Sequence, residues 1–70
     1  MTALEKVQRA RTALIIGQPF FGVLSLRLRL VESEQIPTCA TDGTHLLFNA
    51  AFVEGLSQPG LQAVIAHEVM

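Results

Sequence analysis

The chain has 70 residues, half of them hydrophobic, with five basic and six acidic side chains and a net charge of −1. This balance argues against a basic nucleic-acid-binding surface and against disorder, and no apolar run is long enough for a membrane-spanning helix. The start of the chain lacks the pattern of a secretory signal, and the single cysteine suits a reducing compartment, so we expect a cytoplasmic protein. A chain this short and apolar, with no internal disulfide to stabilise it, is typical of part of a larger fold. We therefore expect one partial domain over residues 1–70.

The first predicted element is a helix. Thr2 and Glu5 form the T-x-x-E capping box, which pairs two backbone donors at a helix start. Apolar residues then recur at helical spacing: Leu4, Val7, Ala10 and Leu14. Gly17 and Pro19 predict the end of this helix.

A strand is predicted next, after Phe20 and Phe21, which we interpret as core residues at a turn. The leucines at positions 24, 26, 28 and 30 alternate with mostly polar residues, the period of a half-buried strand. Arg27 and Arg29 are interpreted as its water-facing side, with binding of a partner domain as the alternative.

A hairpin and a short helix follow a polar connection that ends at Pro37. Asp42-Gly43 lies between the segments 38–41 and 44–49, the second of which is dense in apolar residues, and this dipeptide supplies the positive φ angles of tight hairpin turns. Residues 49–53 predict a short helical turn that ends near Gly55.

The last element is a predicted amphipathic helix that starts with Ser57 as N-cap and Pro59 in its first turn. Its apolar stripe consists of Leu61, Val64, Ile65 and Val69. The pattern is still helical at Met70 and no stop signal follows, which predicts that this chain is part of a longer one.

His67-Glu68 on this helix is the beginning of the H-E-x-x-H zinc motif. Two histidines four residues apart share a helix face and can bind one Zn²⁺, and the glutamate reaches the water that zinc activates. His67 is therefore the candidate metal ligand and Glu68 the candidate general base. The second histidine would be residue 71, beyond the sequence, and the alternative is an ordinary histidine and glutamate on a helix surface.

An ordered set of segments extends this pattern over nearly the whole chain: 19–22, 24–32, 36–38, 40–43, 48–49, 52–56 and 66–69. Together they resemble the N-terminal metallopeptidase domain of bacterial proteins that carry a C-terminal von Willebrand factor A-like domain. The resemblance implies a zincin-like α+β fold with an N-terminal helix, a small sheet with a hairpin, and an active-site helix cut short. It also implies zinc-dependent hydrolysis of peptide bonds in the full-length protein, with His67 and Glu68 as the residues that can be carried over.

The implied partners are a peptide or protein substrate, the von Willebrand factor A-like domain and an AAA-type ATPase, without nucleic acid or membrane. The 70-residue chain alone is predicted to be inactive, because one imidazole binds zinc poorly. The alternative function is a catalytically inactive zincin-like scaffold for protein–protein interaction.

Three other polar residues have simpler interpretations. His45 follows the hairpin turn and is predicted to be exposed rather than a ligand. Cys39 is predicted to be a small buried strand residue rather than a nucleophile, and Asp42 a turn residue.

Overall fold

The computed structural model describes residues 1–69 and shows an α+β fold, as the sequence predicts. Four helices and three short strands follow one another in the order α1, α2, β1, β2, β3, α3, α4. Their bounds are α1 Ala3–Gly17, α2 Pro19–Leu26, β1 Arg29–Glu32, β2 Cys39–Thr41, β3 His45–Phe48, α3 Ala50–Glu54 and α4 Gln58–Val69. Within this part of the chain, every helix is too short or too polar to cross a membrane.

The predicted N-terminal helix is confirmed, including its capping box. The Thr2 hydroxyl accepts a hydrogen bond from the Glu5 backbone N–H at 3.1 Å, and the Thr2 N–H donates to the Glu5 carboxylate at 2.9 Å. The helix buries Ala3, Val7, Ala10 and Leu14. Leu4, which the sequence placed on the buried stripe, is instead 40% exposed, and its neighbour Ala3 is buried.

The segment after α1 corrects the sequence prediction. Residues 19–26 form helix α2, not a turn followed by a strand, and the strand begins only at Arg29. Phe20 is exposed on this helix and does not belong to the core. Pro19 occupies the first helical turn, where its fixed φ favours a helix start. Packing against α1 then stabilises the helix, although the leucine spacing has the period of a strand.

The sheet has the order β1-β3-β2, with β3 in the centre. β1 runs parallel to β3, whereas β2 and β3 form the predicted antiparallel hairpin. Gly43 in its turn has φ of 91°, which confirms the need for glycine there. β2 is therefore an edge strand, and one side of its backbone has no strand partner in the described part of the chain.

The core lies between the sheet and the helices. Leu46 and Phe48 of β3 are fully buried, together with Leu61 and Ile65 of α4. The predicted cap of α4 is confirmed, because the Ser57 hydroxyl accepts a hydrogen bond from the N–H of Gly60 at 3.1 Å. The core thus fixes α4 against β2 and positions the last turns of this helix beside the edge of the sheet.

The short helix α3, predicted around residues 49–53, is also confirmed. The Asn49 side chain accepts a hydrogen bond from the Phe52 N–H at 3.0 Å and donates one to the Ile36 carbonyl at 2.9 Å. Lys6 of α1 donates to the carbonyl oxygens of Glu54 and Leu56, beside the end of α3. These bonds join α3 to the segment before β2 and to the first helix.

Candidate active site

An open groove of about 370 Å³ lies between the start of β2 and helix α4. His67 and Glu68 line it from α4, and Thr38 and Cys39 line it from the β2 side. Most of the remaining lining is apolar, from Phe52, Ala63 and Val64. The two residues that the motif singled out therefore share one concave surface with the edge strand.

Helix α4 determines how these two side chains are presented. Leu61 and Ile65 face the core and are buried, so the adjacent positions near the end of the helix lie at its boundary with solvent. His67 is exposed and Glu68 is half-buried. An exposed imidazole can bind a ligand from solvent, and a half-buried carboxylate beside it can accept a proton inside the groove.

Cys39 is a groove residue that the motif did not include. It is buried in β2, as predicted, and burial raises the pKa of its thiol, with the Glu68 carboxylate as a second cause. The thiol therefore stays protonated at neutral pH, which argues against Cys39 as a nucleophile. Its position near Glu68 depends on how α4 packs on β2, and sequence spacing carries no signal for it.

His45 and Asp42 lie at the hairpin turn and do not line the groove. The Asp42 carboxylate accepts hydrogen bonds from the N–H groups of Thr44 at 2.9 Å and His45 at 2.7 Å. These hydrogen bonds lower the pKa of the Asp42 carboxyl group, and the bond from the His45 N–H has the larger effect. The His45 imidazole is 3.3 Å from the same carboxyl group and partly exposed, so both residues serve the turn, as predicted for Asp42.

The described residues do not by themselves form a metal site. Residues 1–69 contain no group of three or more histidine, cysteine, aspartate or glutamate side chains placed to hold a metal ion. Zinc sites in proteins use three or four protein ligands. The imidazole of His67, the predicted ligand, is exposed on α4 and accessible from solvent.

A second groove of about 210 Å³ adjoins the first, because Glu68 lines both. Arg27, at the end of α2, lines the second groove together with Thr41 and Gly43. The sequence placed Arg27 on the water-facing side of a strand and gave no reason to associate it with Glu68. The two come together because α2 and α4 pack against each other.

Comparison with known proteins gives one match. No curated protein and no solved structure matches the chain. A family model described as "Putative metallopeptidase domain" matches residues 2–70, almost the entire sequence. This match confirms the resemblance to a metallopeptidase domain. The chain therefore belongs to this family of putative metallopeptidase domains.

Proposed function

We propose that the chain is the part of a zinc-dependent metallopeptidase domain that carries the first zinc ligand, His67, and the general base, Glu68. The observation that carries this proposal is that both side chains line one groove beside the edge strand β2. The family match supports a metallopeptidase, and the H-E pair on a helix favours zinc as its metal.

In this proposal, the bound zinc ion supplies the Lewis acidity that makes water a nucleophile near neutral pH. The Glu68 carboxylate accepts the proton of the attacking water and then donates it to the leaving amine. The groove holds the peptide bond between His67 and Glu68 on one side and Thr38 and Cys39 on the other. The free edge of β2 offers backbone groups that pair with an extended substrate.

The metal site would be completed by residues after Met70, beginning with a histidine at position 71. The first measurement is therefore the coding sequence past codon 70. A histidine there, followed by another histidine, aspartate or glutamate, would support the zinc site. A residue that cannot bind a metal at position 71 would overturn it.

The proposed roles of the two residues are tested in the protein that extends past residue 70. His67→Ala should abolish stoichiometric zinc binding, measured by elemental analysis after dialysis. Glu68→Gln should retain zinc and lose peptide hydrolysis by roughly 10²–10⁴-fold, the usual contribution of a general base.

The matched control is Glu54→Gln, which makes the same change at an exposed site on α3, outside the groove. It should leave both zinc content and hydrolysis unchanged. Undiminished hydrolysis by Glu68→Gln would show that Glu68 is not the base. We expect no hydrolysis from the 70-residue chain alone.

The second candidate function is a catalytically inactive zincin-like scaffold that binds other proteins. The exposed apolar side chains of α2, Phe20, Val23 and Leu26, favour it, because such surfaces mark interaction sites. The partners would be a C-terminal von Willebrand factor A-like domain and an AAA-type ATPase. A zinc-free, inactive full-length protein that binds either partner through α2 would support the scaffold over the enzyme.

A further inference from the structure

Arg27 is an exposed arginine just after the end of α2. Its guanidinium makes no hydrogen bond or ion pair with any residue in the described range 1–69. Arg11, in contrast, donates a hydrogen bond to the Leu28 carbonyl at 3.4 Å. A free guanidinium is available to a ligand, and its planar donors suit a carboxylate.

Arg27 lines two concave surfaces. With Glu68, it lines the groove of about 210 Å³ that adjoins the candidate active site. With Phe20 and Val23, it also lines an apolar groove of about 460 Å³ on the outside of α2. Arg27 therefore lies between the proposed catalytic carboxylate and an apolar surface.

Strand β2 passes along the active-site groove and along the groove of about 210 Å³ that Arg27 lines. Thr38 and Cys39 line the active-site groove, and Thr41 lines the groove of Arg27. Three residues of extended chain span about 10 Å, at roughly 3.3 Å per residue. An extended peptide paired with β2 would therefore present to Arg27 a side chain two or three residues from the one beside Glu68.

The charges of the two grooves differ in a way that selects a ligand. Glu68 lines both grooves, and Arg27 lines only the second. Among the described residues, the first groove therefore holds a carboxylate without an arginine or lysine, whereas in the second groove the Arg27 guanidinium offers an acidic side chain an opposite charge. We propose that Arg27 determines specificity by binding an aspartate or glutamate of an extended peptide ligand, two or three residues from the peptide bond beside Glu68. This inference rests on the proposed function only in taking that peptide as a substrate.

The test measures peptide binding by the 70-residue chain without zinc, so it is independent of catalysis. Two fluorescein-labelled extended peptides differ at one position, glutamate or lysine, and their affinities are compared by fluorescence anisotropy at low salt. The wild-type chain should bind the glutamate peptide up to about fivefold more tightly, the upper range for one exposed ion pair. Arg27→Glu should reverse this preference.

The matched control is Arg29→Glu, which makes the same charge change on β1, at the opposite edge of the sheet. It should keep the wild-type preference, and circular dichroism should show that both variants are folded. Tighter binding of the lysine peptide by Arg27→Glu is a gain that a misfolded variant could not give.

Equal affinities for the two peptides, the same loss in both variants, or no binding of either peptide would overturn the assignment of Arg27. Failure of zinc binding or hydrolysis in the longer protein would overturn the proposed enzyme instead. Because the anisotropy experiment contains no zinc and no cleavage step, the two failures are distinguishable.

Discussion

Helices α1 and α2 pack against each other but use opposite kinds of side chain to do so. α1 carries four charged residues and still buries large apolar side chains, among them Val7 and Leu14. α2 carries no charged residue, yet its buried positions are Gly22 and Ser25. Three of its large apolar side chains, Phe20, Val23 and Leu26, are exposed, and Phe20 is 71% exposed.

The close approach of the two helices explains this difference. A Cβ atom added at Gly22 would overlap the backbone of Ile15, so only glycine allows this contact. The buried Ser25 hydroxyl donates to the Gly22 carbonyl at 2.7 Å and needs no partner outside its own helix. The size of the side chains, not their hydropathy, therefore decides which face of α2 is buried.

The largest expected effect compares the same substitution in the two helices. Leu14→Ala should lower the free energy of unfolding by about 2–5 kcal/mol, because Leu14 is 2% exposed and its loss leaves a cavity. Leu26→Ala should change it by no more than about 0.5 kcal/mol, since Leu26 is 55% exposed. Urea unfolding followed by circular dichroism measures both changes in the free energy of unfolding. Equal decreases for Leu14→Ala and Leu26→Ala would contradict the difference between the two helices.

The contact between the helices is tested by adding one methyl group. Gly22→Ala should destabilise the protein by about 1–3 kcal/mol, because α2 must move away from the Ile15 backbone. The control Gly17→Ala meets no atom within 4 Å and has no positive φ, so it should be neutral or stabilise by up to about 1 kcal/mol. If thermal melts showed Gly22→Ala to be as stable as wild type, the helices could not be in such close contact.

The helix starts differ as well. Thr2→Ala should cost about 1 kcal/mol, because it removes the side-chain cap of α1. Gln18→Ala at the start of α2 should have little effect, since Gln18 makes no side-chain capping bond. Chemical denaturation measures the free energy of unfolding of both variants. A larger decrease for Gln18→Ala than for Thr2→Ala would contradict the assignment of the side-chain cap to α1.

The smallest expected effect is a pH dependence of the stability that Glu5 contributes at the start of α1. Hydrogen bonds from the backbone and side chain of Thr2 lower the pKa of Glu5 below its usual 4.5. The stabilisation is therefore complete above the unfolded-state pKa and is lost as the pH falls through the lower, folded-state pKa. Melting temperatures of wild type and Glu5→Gln should converge in acid. A difference that stays constant down to pH 2 would show that the ionised Glu5 carboxylate does not stabilise the fold.

Local signals were sufficient for several elements of the fold. The capping box at Thr2, the Asp42-Gly43 turn and the Ser57 cap each act over a few residues, so their chemistry is visible in the sequence and is confirmed by the structure. The candidate pair His67-Glu68 was found in the same way, from adjacent residues on a predicted helix. Their catalytic roles remain predictions.

Tertiary structure decided what depends on distant contacts. The alternating leucines at positions 24–30 predicted a strand from their period of two, whereas packing of Gly22 against Ile15 stabilises a helix up to Leu26. The residues that share grooves with Glu68 also come from distant segments, Cys39 from β2 and Arg27 from the residue after α2. The sequence by itself determined the caps, the turn and the helix of the His-Glu pair, because those interactions are local. Only packing determined the groove around that pair, because its walls come from segments far apart in the chain.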